Sequence, residues 1–298
     1  MTNLRTAAYS ALALAGLSFA STSFAGTGKA VTAPKEIKET IKESCITGDL
    51  GVVVVSEYIS RGLVLEDQGA IAQPYLDLYF KLYEGDGFIN KVQFNLGLWS
   101  SIHSHVQPDG STDSVRNWYE FDYTAGIAVT MAKNFTATLS YFEFDSPANA
   151  FSTARSINLN IAYDDSEFMG PFALRPHVAV LRELNAPGFA GLGGNGWYFE
   201  VGIAPSYTFA KGGTYPVTLS APINAGFGDD KFYDGDNFGF VSGGAQLSVP
   251  LSFIPECYGS WTFSGGYTYF HLGDRVAEVT AQGDEGRHVF QGAVGLAF

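Results

Sequence analysis

Two short segments of the sequence contain residue types that could perform chemistry. His103, Ser104 and His105 are consecutive, and a serine beside a histidine is the minimal start of a nucleophile and general-base pair. The two histidines, two positions apart, would also share one side of an extended segment and could begin a metal site, although no third ligand follows nearby in sequence. We interpret this segment as a polar loop, and we predict that the protein is not an enzyme.

The second segment is acidic. Asp229, Asp230, Asp234 and Asp236 are interspersed with glycines, and carboxylate oxygens are the ligands that Ca²⁺ prefers. Their spacing is not that of a calcium-binding loop between two helices. The favoured interpretation is a solvated acidic loop, with a loop-bound Ca²⁺ as the alternative and no other cofactor expected.

The elements that must position these segments are strands. From residue 49 onwards, apolar and polar residues alternate with a period of two, as in Val92–Trp99 and in Ile157–Tyr163. The sequence predicts twelve strands of ten or more residues, which suits a tilted membrane strand. They are 49–60, 70–84, 88–101, 116–131, 134–146, 154–165, 172–184, 196–209, 215–226, 238–250, 258–271 and 288–298.

The connections between these strands alternate in length, short turns on one side and longer loops on the other. This pattern, with an even strand count, is typical of outer-membrane barrels. We predict an all-β fold, a twelve-stranded antiparallel transmembrane β-barrel, with a short periplasmic helix at Pro34–Ser44. A soluble β-sandwich would also alternate, but its core face would not carry so many charges.

In each strand the polar residues of the alternation share one face, and these polar faces include both acidic and basic side chains. Each charge would cost a few kcal/mol if it faced lipid at mid-membrane, so the prediction is that these side chains line the barrel interior. The predicted pore-lining residues are Asp77, Lys81, Asn95, Glu120, Asp122, Arg175, His177 and Glu200.

The N-terminus has the pattern of an export signal. Arg5 precedes the apolar run Thr6–Ala20, and Ser23-Phe24-Ala25 forms a small-x-small cleavage site. The predicted organisation is a cleaved signal peptide at 1–25, a periplasmic segment at 26–48 and the barrel at 49–298.

Both ends of the predicted barrel resemble known patterns. In the last strand Phe290, Val294, Leu296 and Phe298 share one parity, which resembles the terminal assembly signal of Gram-negative outer-membrane proteins. That resemblance implies recognition by the barrel-assembly machinery and contact with outer-membrane lipid and lipopolysaccharide. The segment Val55–Gly62 (VSEYISRG) resembles the opening of the uncharacterised Gcw_chp barrel family, with Glu57 where the family has aspartate.

The two cysteines, Cys45 and Cys257, are too few for a disulfide scaffold. Both are predicted at the periplasmic edge of neighbouring parts of the barrel, roughly 10 Å apart. Since the periplasm is oxidising, the sequence predicts a disulfide between them.

Composition limits the function. The formal charge is −13, from 30 acidic and 17 basic residues, which argues against nucleic acid as a partner. We predict a cell outer-membrane channel for passive diffusion of small polar or ionic solutes. The alternatives are a lipid hydrolase at the barrel rim and a non-conducting structural or adhesive barrel.

Overall fold

The computed structural model describes residues 44–105, 116–186, 194–213 and 215–298. The predicted signal peptide and residues 34–43 of the predicted helix lie outside these ranges. Within them the chain is almost entirely β-strand. The strands of the main sheet are β1 (Ile46–Val55), β4 (Ile71–Glu84), β5 (Ile89–His103), β6 (Trp118–Met131), β7 (Phe135–Asp145), β8 (Ala154–Tyr163), β9 (His177–Asn185), β10 (Trp197–Ile203), β11 (Ser206–Phe209), β12 (Val217–Ser220), β13 (Ile223–Gly228), β14 (Phe238–Pro250), β15 (Ser260–Leu272) and β16 (Gly286–Ala297).

These segments form a closed antiparallel barrel of twelve strands, as predicted. Each strand pairs with its sequence neighbours, and β1 pairs with both β4 and β16, which closes the ring. Two strands are each divided into two segments, β10 with β11 and β12 with β13. Pro205 and Pro222 lie at these interruptions, because proline has no N–H to donate to the ladder.

The seam between β1 and β16 is held from end to end. Val53 lies opposite Ala293, and the last residue, Phe298, exchanges two backbone hydrogen bonds of 2.9 Å with Gly48. The C-terminal aromatic of the sequence therefore lies within the ring closure.

The two faces of the barrel wall have opposite character. Exposed aliphatic and aromatic side chains point outward on most strands, whereas the inward positions are largely buried amides, hydroxyls and carboxylates. A water-soluble barrel would show the reverse. Among the outward residues are Leu50, Val52, Val54, Leu96, Leu98, Ile127, Leu139, Ile157, Leu159, Ile161, Val201 and Phe263.

The first predicted strand, 49–60, is too long at its C-terminal end. The strand stops at Val55, and the chain then forms a separate hairpin of β2 (Tyr58–Ser60) and β3 (Leu63–Glu66), which pairs with neither β1 nor β4. We call Tyr58–Glu66 the inner hairpin. It belongs to the long-loop end of the barrel, at the opposite end from the short turns and Phe298.

Helices are few and short. The described helices are α1 (Ser166–Met169), α2 (Asp274–Thr280) and two single 3₁₀ turns, Gly170–Phe172 and Glu256–Tyr258. None of the helices in the described ranges is long and apolar enough to cross a membrane. Helix α2 lies in a connection predicted as a loop, and it buries Val276 and Ala277 beneath it.

The predicted disulfide is absent. Cys45 and Cys257 are both exposed and free in the structure. Cys45 is hydrogen-bonded through its carbonyl to Lys81 on the β4 side of β1, whereas Cys257 precedes β15. Strand β16 separates β1 from β15, so the two cysteines flank different strands.

The seam provides a test of barrel closure. A Cβ atom at Gly51 would lie 2.5 Å from the carbonyl oxygen of Val294 and 3.0 Å from the Cα of Gly295. Because both are backbone atoms, Gly51→Val should force the seam apart, at a cost of about 1–3 kcal/mol or more. We expect a reduced fraction of the heat-modifiable, folded band after refolding in detergent.

Gly292→Val is the matched control on the same seam. Nothing lies within 4 Å of a Cβ atom at Gly292, so valine should be tolerated there. Equal yields of folded protein for both variants would contradict the steric role of Gly51.

Candidate functional site in the lumen

The inner hairpin turns within two residues. Ser60 lies opposite Leu63, and the residues between them, Arg61 and Gly62, have φ angles of 51° and 84°. Two consecutive positive φ angles define a type I′ turn, whose twist matches that of the paired strands. Gly62 suits this geometry, whereas an arginine at a positive φ is uncommon and places a long cationic side chain at the tip.

The base of the hairpin is fixed to the barrel wall by one arginine. Arg287, near the start of β16, donates from Nε to Glu57 at 2.8 Å and from Nη2 to Asp67 at 3.0 Å. These two carboxylates flank the hairpin on either side. A single guanidinium therefore holds both ends of the segment against one strand.

The body of the hairpin contacts the inner wall on β5 and β6. The hydroxyl of Tyr58 donates to Glu120 Oε2 at 2.8 Å, and both residues are buried. The Tyr58 ring also lies 5.4 Å from that of Trp99, between ring centroids. On the other side of the hairpin, the backbone N–H of Val64 donates to the Thr280 hydroxyl in α2.

The tip spans the barrel. The Arg61 guanidinium carbon lies 5.1 Å from the centre of the Phe144 ring on β7. A Cβ atom at Gly62 would lie 3.0 Å from the ring of Phe240 on β14, five strands away round the barrel. Tyr233, from the loop before β14, donates its hydroxyl to the Arg61 carbonyl at 2.7 Å.

This tyrosine is held as a neutral donor. Burial raises the pKa of the Tyr233 phenol well above its ordinary value, and the charge of Glu200 raises it further. The proton needed for the hydrogen bond to Arg61 is therefore retained throughout the physiological pH range.

Arg61 is the positive centre of an acidic cluster. Its charge acts through space on four carboxylates of the inner wall, those of Glu120, Asp122, Glu183 and Glu200. Among the described residues its guanidinium forms no ion pair with them, and its Nε and Nη2 have no hydrogen-bond partner. Only 8% of Arg61 is exposed, so this attraction acts in a poorly screened environment. We call these five residues the Arg61 cluster.

Apolar residues seal the space around the cluster. The hairpin, the 229–237 loop and α2 meet the wall in one hydrophobic core at the long-loop end. Its most buried members include Tyr58, Ile59, Ile71, Leu181, Tyr198, Tyr233, Leu272, Val276 and Val289. The long-loop end of the lumen is thus closed by packed side chains.

The residues predicted to line a pore occupy two levels. Glu120, Asp122 and Glu200 lie beside the inner hairpin within the Arg61 cluster, rather than along an open passage. Asp77 and Asn95 are buried on the wall nearer the short turns.

The basic members of the predicted set lie close to the short-turn end. His177 is within 3.1 Å of Asn224, between Nε2 and Oδ1. Lys81 forms an ion pair of 2.8 Å with Glu84. Arg175 is in the turn before β9, where it donates to the Ser206 hydroxyl.

The histidine segment is not a simple loop. His103 is the last residue of β5, and its Nε2 lies 2.8 Å from the hydroxyl of Ser101, not that of Ser104. Its Nδ1 lies 3.6 Å from Glu66 Oε2 in the inner hairpin. The order serine, histidine, carboxylate is that of a nucleophilic relay, but Ser101 has no exposed surface.

Three carboxylates of the acidic loop have partners within the protein. Asp229 and Asp236 accept hydrogen bonds from backbone N–H groups of their own turns, and Asp234 pairs with Arg275 of α2. Throughout the described ranges, no group of three or more His, Cys, Asp or Glu side chains is arranged to hold a metal ion.

Sequence reasoning missed the hairpin residues that organise this site. Arg61, Tyr58 and Glu66 fell within or beside a predicted strand, and Tyr233 within a predicted loop. One signal was present: Arg61-Gly62 between two β-forming segments is a two-residue turn pattern. The contacts of the hairpin with distant strands have no local signal.

No family model and no curated protein matches the sequence, so the resemblance of Val55–Gly62 to the Gcw_chp family stays a prediction. Solved structures with a similar arrangement include an outer-membrane channel from Pseudomonas putida F1, at 11% identity and a TM-score of 0.46, covering 88% of this chain and all of that one. LpxR from Salmonella typhimurium is 9% identical, with a TM-score of 0.43 over 84% of this chain and 100% of that one. The NanC porin is 8% identical, with a TM-score of 0.39 over 84% and 98%. The strand pairing described above, rather than these alignments, establishes the fold.

The bond between Tyr58 and Glu120 can be tested by removing one oxygen atom. Tyr58→Phe leaves a buried carboxylate without its donor, and we expect the free energy of unfolding to fall by about 1–3 kcal/mol. Denaturant titration followed by tryptophan fluorescence measures this loss.

Tyr141→Phe is the matched control. Tyr141 also donates to a glutamate, Glu143, at 2.8 Å, but on the exposed outer face. Arg155 still donates to the same carboxylate at 2.8 Å, so the expected loss is below about 1 kcal/mol. A loss as large as that of Tyr58→Phe would contradict the importance of burial.

Proposed function

We propose that the protein is a gated channel of the Gram-negative outer membrane, through which small polar or ionic solutes diffuse when the inner hairpin leaves the lumen. The observation that carries this proposal is a polar-lined barrel closed at one end by a hairpin whose charged tip contacts nearly opposite walls. A barrel that served only as a scaffold would not require a buried cation facing four carboxylates.

The outer wall supports the membrane location. Its apolar side chains would face lipid, and the aromatic ending at Phe298 fits the strand that the barrel-assembly machinery recognises. In this orientation the long loops face outward towards lipopolysaccharide, and the short turns face the periplasm. The inner hairpin then closes the external mouth.

The Arg61 cluster supplies the latch. Loss of the Arg61 charge would leave the four carboxylates of the inner wall without the buried cation between them, which would weaken the closed state. The stem contacts of Arg287 would remain, so the hairpin could swing about its base without leaving the barrel. Passive diffusion through the opened lumen requires no cofactor and no catalytic residue.

Single-channel recording in planar bilayers tests the latch. Arg61→Gln keeps a non-glycine side chain at the same positive φ but removes the charge, so the closed state should lose stability. We expect mostly closed wild-type channels and a mean closed time at least tenfold shorter for the variant, equivalent to about 1.4 kcal/mol.

Arg155→Gln is the control, since Arg155 pairs with Glu143 at 2.8 Å on the exposed outer face. Its gating should match that of the wild type. If neither the wild type nor Arg61→Gln conducts ions, the channel proposal fails. If both conduct with equal closed times, the hairpin is not the gate.

A hydrolase is the second candidate, supported by the contacts of Ser101, His103 and Glu66. In this hypothesis Ser101 would attack an acyl carbon after the hairpin moves, with His103 accepting its proton. A fluorophosphonate probe should then label the wild type and Ser104→Ala but not Ser101→Ala. Absence of labelling in both the wild type and Arg61→Gln would exclude this candidate.

A further inference from the structure

The wall beneath the inner hairpin carries two neighbouring rows of uncharged polar residues. Asn95 lies opposite Gly126, Gly126 opposite Ser140, and Ser140 opposite Asn158, so that one row crosses β5 to β8. In the next row towards the short turns, Gln93, Ala128, Thr138 and Asn160 are aligned in the same way. We call the six polar residues the amide patch: Gln93, Asn95, Thr138, Ser140, Asn158 and Asn160.

The amide patch has its polar side chains on either side of a strand that carries only small residues. Its amide side chains stand at both ends, on β5 and β8, and its hydroxyls stand on β7. Between them, β6 contributes only Gly126 and Ala128. Three strand spacings separate β5 from β8, about 14 Å along the wall. This span matches the length of a small sugar, which would enter only after the inner hairpin moves, since the six residues are at most 4% exposed.

Several polar atoms of this wall have no hydrogen-bond partner in the protein. They are Asn95 Nδ2, Thr138 Oγ1, Asn158 Oδ1 and, one row nearer the hairpin, Ser156 Oγ. All four residues are at most 2% exposed. A buried polar atom without a partner destabilises the folded state, so four of them on β5, β7 and β8 indicate a site whose partner comes from outside the chain.

The chemistry of the patch selects the class of that partner. Amides and hydroxyls present both donors and acceptors without net charge, which matches a hydroxyl-rich neutral molecule. The charged side chains nearest the patch lie outside it. Lys81 lies opposite Gln93 on β4, Glu200 on β10 is in the row of Asn160 two strands away, and Asp122 lies two rows nearer the long loops. An anion or a cation would find no opposite charge within the amide patch.

We propose that the amide patch is a binding site for neutral, hydroxyl-rich solutes, that is, sugars or polyols. The inference rests on the proposed channel function, for which it names the solute class. Solute would reach the patch along the lumen from the periplasmic side, where the polar residue Asn224 is only partly buried.

Isothermal titration calorimetry on the detergent-purified full chain tests the proposal. Glucose and mannitol are the neutral probes, with gluconate and choline as charged probes of similar size or smaller. Binding is measured for the wild type and for Arg61→Gln, in which the hairpin is released. We expect both neutral probes to bind at least one of these proteins more tightly than either charged probe.

The double variant Thr138→Val/Asn158→Leu removes two hydrogen-bonding groups while preserving side-chain volume. It should bind the neutral probes about tenfold more weakly or worse. Asn185→Leu, the same change at an exposed position at the end of β9, should leave binding unchanged. Circular dichroism and heat modifiability verify that each variant is folded.

The outcomes separate the two proposals. Ion conductance without binding of glucose or mannitol would overturn the sugar site and leave the channel intact. Sugar binding that the double variant weakens, in a protein that never conducts, would support the site and overturn the channel. Binding that the double variant does not change, or no binding to either protein, would mean that the patch holds ordered water only.

Discussion

The structure depends on the backbone hydrogen bonds that join β1 to β16. Without this seam, two strands would present unpaired N–H and C=O groups, which a bilayer does not satisfy. With it, every strand has two neighbours, and the alternation of side chains is forced to divide into an apolar exterior and a polar interior. Gly51 allows the close approach that the seam needs, because a Cβ atom there would lie within 3.0 Å of backbone atoms of Val294 and Gly295 on β16.

Closing the barrel creates an interior that must be filled either by side chains or by water. The protein fills one end with its first connection, and the type I′ turn at Arg61-Gly62 makes that connection narrow enough to enter the barrel. Once inside, the turn brings a cation among carboxylates of three strands, β6, β9 and β10. The apolar residues around it exclude water, so its charge acts on them through a poorly screened space. Arg287 fixes the base of the hairpin to β16.

Strand periodicity was enough to predict the barrel but not the inner hairpin. The alternation in Ile157–Tyr163 depends only on local side-chain order, and each such strand was predicted to within a few residues. Tyr58–Ser60 continues the apolar pattern of β1, so the period alone did not separate it from that strand. The partners that draw it inward, Glu120 and Phe144, lie more than 60 positions away. Inward placement of Glu120 and Asp122 followed from parity, whereas their grouping round Arg61 depends on that long-range fold.

On β6, Glu120 and Asp122 lie at the closed long-loop end of the lumen, and the neutral amides and hydroxyls of β5, β7 and β8 lie nearer the short turns. In the proposed channel, strong binding at that depth would slow diffusion, whereas weak, uncharged hydrogen bonds would let a solute enter and leave. Under the same proposal, a change in the strength of the gate would not alter which solutes the wall prefers.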